Sequence, residues 1–530
     1  MTFLGKLLTS TSLVFGLAAP AYAASVTGAV QGPDGKPVMG VFVTAENPKT
    51  NISVHVLSGA DGKYVIPNLE PATYDLRIDA IGWKAILKQG VKVAADAPAT
   101  ADFSVQKRPV EWSELSTWQG RQLLPKTETH NLSHKDPFFS NCFQSCHSFQ
   151  NRMAVGERTE EGWLDRVRYM SESMMAGDGR RLKEEDIQDT AKYLTVLFGP
   201  NSPKPASPEQ APGFEKTVHA FTPQAMNIVY VEYDFPAERG MGPWSAVEAP
   251  DGMIWIPYYG RGNGVTRLNP DTGEMTPFQL SFERTAGVHS VYPAKDGSVW
   301  FVETALGKIA KLDPKTKEIT EYQSPQTQDG KRVGAHTIRV DDSGIVWVSG
   351  GPVITKFNPK TGEWKHFPLA GTYGNESAPD GSQWFTAFRD KGPIGRVKDD
   401  VLTTFQPPTN GKPQRLAIAT DGTIWFTERQ GNKLGHLDPV SGAIKEFELP
   451  GPEASPYAIN IDPQGMIWYP SHEMDTMNRF DPKTGKVVEY PYPHAEIAMR
   501  EFFADSKGRV WYGASTNNKV GYFYLNDAAK

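Results

Sequence analysis

The sequence predicts a mainly β, multidomain protein: a small β-sandwich over residues 24–106, a small α-helical domain over 107–205, and a seven-bladed β-propeller over 213–530. Three observations support this. An Asp-Gly-x-apolar-Trp phrase recurs about every 40 to 45 residues through the C-terminal part, the repeat length of a four-stranded blade. Short runs of Val, Ile, Thr and Tyr, broken by Asp-Gly turns, fill residues 25–106. Helical periodicity occurs only between these two regions.

Residues 1–23 read as a cleaved export signal. Lys6 is their only charge, an apolar run spans Leu13 to Ala19, and Ala21-Tyr22-Ala23 is a small-x-small cleavage site before Ala24. The run is too short to span a membrane, and no later segment is long and apolar enough to do so. A soluble periplasmic or secreted protein is expected. The formal net charge of -6, with no basic stripe, argues against a nucleic-acid partner.

In the first domain, strands are expected at Val26 to Val30, Gly40 to Thr44, Ser53 to Leu57, Tyr64 to Ile66 and Tyr74 to Asp79. The turns Pro33-Asp34-Gly35 and Asp61-Gly62 supply residues that tolerate positive φ. An antiparallel sandwich follows. The string from Asp61 to Tyr74 resembles the carboxypeptidase regulatory-like module, and this implies a spacer or binding appendage without catalysis.

In the middle segment, Thr159 is a candidate N-cap, and Trp163, Val167, Met170 and Met174 form one apolar stripe. Gly177-Asp178-Gly179 turns the chain. A second helix starts near Lys183 with acidic residues in its first turn and ends at Gly199-Pro200. Upstream lie the only two cysteines of the chain, in Cys142-Phe-Gln-Ser-Cys146-His147. Two thiols with an adjacent imidazole suggest covalent haem c on Cys142 and Cys146, with His147 on the iron. The spacer is one residue longer than the usual C-x-x-C-H. A local disulfide with an incidental histidine is the other reading.

The string from Trp163 to Met170, followed by Tyr193-Leu194, resembles the haem domains of quinohaemoprotein amine dehydrogenases and related cytochromes c. The resemblance implies a cytochrome c-like helical domain with Met170 as the second axial ligand. Met174, Met175 and Met153 are further candidates, His134 is a fallback, and His130 lies beside it. A methionine on an apolar stripe is also ordinary core packing. A linker rich in Pro, Ser and Ala, Asn201 to Pro212, closes the segment.

The propeller repeat carries Trp255, Trp300, Trp347, Trp384, Trp425, Trp468 and Trp511. Asn/Asp-Pro-x-Thr-Gly turns follow, as at Asn269 to Gly273 and Asp481 to Gly485. The strand Ile228 to Tyr233 is expected to complete the last blade and close the ring. In each copy, the residue seven before the turn aspartate or its equivalent falls on the innermost strand. These residues are Trp244, His289, His336, Tyr373, Gln414, Tyr457 and Arg500. Polar and aromatic groups converging on one axis read as a binding mouth, with a merely solvated channel as the other reading.

The blade phrase Asp421-Gly-Thr-Ile-Trp-Phe-Thr-Glu-Arg-Gln-Gly-Asn-Lys-Leu-Gly-His436 resembles the virginiamycin B lyase (streptogramin lyase) family. That resemblance implies catalysis at His289, His336 and Tyr373, one histidine being the general base; the repeat register itself places Trp244, Gln414, Tyr457 and Arg500 toward substrate, and Glu303, three residues after Trp300 in the blade of His289, joins them or is a solvated rim residue. The family also implies Mg²⁺, held by a Glu two before its base and by another after the Trp of the same blade. Here Gly334 precedes His336, and Trp347-Val-Ser-Gly-Gly351 offers no carboxylate, so those positions do not support Mg²⁺. Glu303, Glu428 and Glu501 are the carboxylates left near the mouth.

The combined expectation is an exported c-type cytochrome whose propeller binds a small molecule or a periplasmic redox partner in electron transfer or oxidation. The sequence shows no flavin or quinone signature. The alternatives are a lyase or lactone-hydrolase-like enzyme acting at the mouth, and a non-catalytic binding scaffold.

Overall fold

The computed structural model describes residues 24–132, 136, 157–173, 182–236, 242–259, 263–280, 286–451, 453–495, 497 and 499–526. The export signal, Cys142, Cys146, His147, His134, Met153, Met174, Met175 and the turn at Gly177 lie outside the described residues.

The repeat phrase has a direct structural explanation. The turn glycines take left-handed φ, as at Gly344 (84°), Gly465 (77°) and Gly508 (76°), where a side chain would be strained. The aspartate three residues before each of these accepts the indole N–H of the blade tryptophan. The bonds are Trp347 to Asp341 (2.8 Å), Trp468 to Asp462 (2.9 Å) and Trp511 to Asp505 (2.7 Å). A buried indole donor is thereby satisfied while its ring packs between strands. An aromatic residue from the same blade's fourth strand stacks on it, as Tyr322 does on Trp300 and Tyr490 on Trp468.

Seven four-stranded antiparallel units result, and blades three and four share the long strand Glu363–Ser377. The first strand of the propeller region, Ile228–Asp234, pairs with the last, Lys519–Leu525, in register from Ile228↔Leu525 to Asp234↔Lys519. The ring is closed as expected.

The sandwich has one sheet centred on Val26–Gln31 and another in the order Ile52–Leu57, Phe42–Asn47, Ala72–Ile78, Ile86–Val93. It is not wholly antiparallel. Val26–Gln31 pairs in parallel with the short strands Ala99–Thr100 and Phe103–Ser104. Nor does it stand apart, because Ile52–Leu57 adds antiparallel to Ile228–Asp234, making blade seven and the sandwich one eight-stranded sheet. An exposed edge is thereby paired.

The described part of the middle segment holds three α-helices: α1 (Thr117–Leu123), α2 (Glu160–Ser173) and α3 (Glu184–Phe198). Trp163 and Val167 of α2 pack against Ile187, Ala191, Leu194, Leu197 and Phe198 of α3. Met170 is only partly buried, and Ser171 is the buried residue one turn after Val167. His130 is held between Asp136 (3.1 Å) and Asp189 (3.0 Å) and stacks on Tyr193. These described residues form a helical pair and show no arrangement specific to a cytochrome c. The expected linker is packed, since Trp112 donates to the Pro205 carbonyl and Ser207 to that of Val110. The short helix α1, set by a Ser116–Gln119 capping box, docks on blade six. There the Glu473 carbonyl accepts from the Trp118 amide, and Arg121 reaches its carboxylate at 2.6 Å. Among the described residues no helix is long and apolar enough to cross a membrane.

Candidate active site at the propeller mouth

Six of the seven ring residues form a closed circuit of contacts. Trp244 Nε1 donates to His289 Nε2 at 2.7 Å. The His289 and His336 rings lie 3.8 Å apart, and His336 and Tyr373 lie 4.1 Å apart. The Tyr373 and Tyr457 hydroxyls are hydrogen-bonded. Arg500 sits over Tyr457 (4.8 Å) and over Trp244 (5.1 Å), completing the circuit. Gln414, the seventh, is buried, and the direct Tyr373–Tyr457 bond spans its place in the ring.

Sequence reasoning missed a second tier. It sits four residues after the blade tryptophan, a fixed offset that could have been read from the repeat. Tyr259 packs on Trp244 and His289, Phe388 on Tyr373, and Arg429 and His472 on Tyr457. In blade three this position is Gly351, so no side chain from it covers His336. His336 is accordingly partly exposed, whereas His289 is 1% exposed.

Arg415, one residue past Gln414, was also missed. Its guanidinium donates to Thr337 Oγ1 (2.9 Å) and Glu501 Oε1 (2.5 Å), and His336 Nδ1 lies 3.0 Å from the same Thr337 hydroxyl. Glu501 is thus committed to Arg415. A narrow cavity adjoins this pair, lined by Arg415 and Glu501 together with Arg339, Asn375, Glu376, Ile459 and Phe503. The lining residues are one to three positions further along the innermost strands than the ring members, and no ring member lines that cavity.

The electrostatics favour neutral imidazoles. Burial lowers His289 well below the ordinary histidine value, and His336, Arg415 and Arg500 add to the effect. Packing around His336 lowers it likewise, helped by Arg415 and Arg500. Burial alone would raise Tyr457. Arg500, Arg415, the Tyr373 hydrogen bond and Arg429 outweigh it and bring this phenol below its usual value. Burial and the Tyr457 neighbour raise Tyr373, which makes it the donor of the pair.

Glu303 does not join the ring. It is buried beside Glu321 and Lys308 of its own blade, and burial followed by repulsion from Glu321 pushes its carboxyl up to about 8. Glu428 occupies the equivalent place in blade five, also at about 8, through burial and Glu446.

The structure gives a physical reason why Mg²⁺ does not fit at the expected positions. A side chain on Gly334 would place its Cβ 2.2 Å from the Gly350 carbonyl oxygen, and one on Gly350 would lie 2.7 Å from His336 Cβ. The two glycines pack against each other where carboxylates would be needed. The mouth is instead lined by the guanidinium groups of Arg415, Arg429 and Arg500, which repel a hard cation.

This architecture is that of a virginiamycin B lyase-like propeller joined to a carboxypeptidase regulatory-like domain. Residues 365–529 match the model of the virginiamycin B lyase family, and residues 25–106 match that of the carboxypeptidase regulatory-like domain. Virginiamycin B lyase of Nocardia farcinica is 26% identical over 172 residues, which cover 32% of this chain and 58% of the relative. Among solved structures, a streptogramin B lyase is 26% identical with a TM-score of 0.51, covering 57% of this chain and 99% of that one. Virginiamycin B lyase from Staphylococcus aureus is 25% identical with a TM-score of 0.50, covering 56% and 98%. A catalytically inactive histidine-to-alanine variant of the latter, with quinupristin, aligns with the same scores.

These likenesses overturn the expectation that the chain acts chiefly as an electron-transfer cytochrome. Family model, curated relative and solved structures all align its propeller with lyases. The expectation rested on Cys142, Cys146 and His147, which lie outside the described residues, and on Met170, which is only partly buried while Trp163 and Val167 of its stripe pack against α3.

Proposed function

We propose that the chain is a carbon–oxygen lyase that opens a cyclic ester or depsipeptide at the propeller mouth, with His336 as general base. The observation that carries this reading is the ring itself: two neutral imidazoles side by side, one of them left open by Gly351 and flanked by arginines.

His289 Nε2 is occupied by the Trp244 indole, and the ring is enclosed. His336 is the accessible one. With its Nδ1–H donating to Thr337 Oγ1, Nε2 keeps its lone pair for substrate. It would take the proton α to a carbonyl. The electron pair released forms a carbon–carbon double bond, and the β carbon–oxygen bond breaks, releasing the ester's carboxylate. Arg500 and Arg429 are placed to hold that developing negative charge, a role a metal could otherwise serve. Tyr457, made more acidic by the same cations, can supply or accept a proton as the product leaves.

Quinupristin, which accompanies the inactive relative, is the probe of choice. The protein should convert it to a ring-opened product of unchanged mass, because elimination adds no water. A product heavier by one water would mark a lactone hydrolase instead. His336→Ala should abolish the conversion.

A further inference from the structure

The junction between the sandwich and the propeller contains a second cluster of ligand-type side chains, none of them a member of the mouth ring. His55 comes from the sandwich strand Ile52–Leu57, Glu232 from the closing strand Ile228–Asp234, and His494 from the loop before blade seven. Register brings them together. Ser53 pairs with Glu232 and His55 with Tyr230, so His55 and Glu232 are diagonal neighbours on one face of the shared sheet.

Both imidazoles converge on one carboxylate oxygen. Glu232 Oε2 lies 3.1 Å from His55 Nε2 and 2.7 Å from His494 Nε2, and the three donor atoms fall within 4.8 Å of one another. His55 is 2% exposed and Glu232 fully buried, while His494 is partly exposed and opens a path to solvent. We propose that His55, Glu232 and His494 bind a divalent transition-metal ion, zinc by their ligand chemistry, which clamps the sandwich to the closing blade of the propeller.

The surrounding groups are arranged as an outer shell for such an ion. Thr44, paired directly with His55 in the sheet, has its hydroxyl 2.8 Å from His55 Nδ1. In the tautomer that donates Nδ1–H to this hydroxyl, the Nε2 lone pair faces inward, as metal binding requires. Tyr512 donates to Glu232 Oε1 at 2.8 Å and leaves Oε2 for the metal. Tyr512 reaches it across Gly521, the residue paired with both, whose missing side chain leaves the row open. His55 Nε2 is buried and makes no hydrogen bond despite facing the carboxylate. Two histidines and one carboxylate, plus water at the fourth position, is a usual zinc set, with bonds of about 2.0 to 2.2 Å reachable by small side-chain movements.

The site is independent of the proposed lyase chemistry, and its test does not read activity. Full-length protein is stripped with a chelator, loaded with Zn²⁺, desalted, and assayed for zinc by mass spectrometry and for melting temperature. One more zinc per chain is expected in the unmodified protein than in His494→Gln or His55→Gln, with a zinc-dependent rise in melting temperature absent from both variants. His494 is partly exposed, so its variant should fold, as circular dichroism would verify. Equal zinc content in the unmodified and folded variant proteins would overturn the proposal and leave the cluster as a buried polar contact between the sandwich and the propeller.

Discussion

The imidazoles of His289 and His336 lie with ring centroids 3.8 Å apart, contributed by neighbouring blades to the ring at the propeller mouth. Two rings that close cannot both carry a charge, and Arg415 and Arg500 make even one charge costly.

The pH dependence of turnover follows from this. In the proposed elimination the neutral imidazole is the competent form, and protonation of His336 is held below the ordinary value of 6.5 by burial and by Arg415 and Arg500. Activity should therefore persist as pH falls through 6.5 and be lost only below it. Arg500→Gln removes one cation and should move the acid limb of kcat/KM upward. A limb at or above 6.5 in the unmodified protein would contradict this electrostatic account.

Glu303 and Glu428 give a stability prediction of the opposite sense. Each carboxyl is raised to about 8 in the fold, against an ordinary value of 4.5. The native state then holds a proton that the unfolded chain has lost, so stability falls as pH rises from 4.5 toward 8 and levels off above. Glu303→Gln keeps the neutral shape. Relative to the unmodified protein, it should gain roughly 1–3 kcal/mol in urea unfolding at pH 9 and little at pH 4.5. An equal effect at both values would contradict the assignment.

Restoring the family's metal carboxylate at position 334 should fail on steric grounds. The Cβ of any side chain there meets the Gly350 carbonyl at 2.2 Å. Gly334→Glu should cost about 1–3 kcal/mol or more, read as a lower melting temperature, and should not make turnover depend on Mg²⁺. Magnesium-stimulated activity in a fully stable variant would refute the packing argument.

The repeat made the propeller and its ring legible because a blade fixes which residue of each copy faces the axis. Trp244, His289, His336, Tyr373, Tyr457 and Arg500 needed only the register of the Asp-Gly turns. Tyr259, Arg429 and His472 obey an equally regular offset from the tryptophan. Arg415 does not, because its role comes from a salt bridge across the channel to Glu501 and a contact with Thr337. Glu303 shares its copy's strand with no ring member and turns toward Glu321, a direction sequence spacing alone does not determine. The joining of sandwich and blade seven was illegible for a similar reason. Ile52–Leu57 and Ile228–Asp234 are both ordinary strands, and neither pattern states which edge pairs with which. The cysteine motif carried more weight in the sequence than the aligned relatives support, since a local spacing says nothing of the propeller that forms most of the described chain.

The most direct test of the central claim is the product of quinupristin with the unmodified protein and with His336→Ala, followed by mass spectrometry. A ring-opened product of unchanged mass, formed by the former and absent from the folded variant, is the expected result. An unopened ring after incubation with the unmodified protein, or equal turnover by His336→Ala, would contradict it.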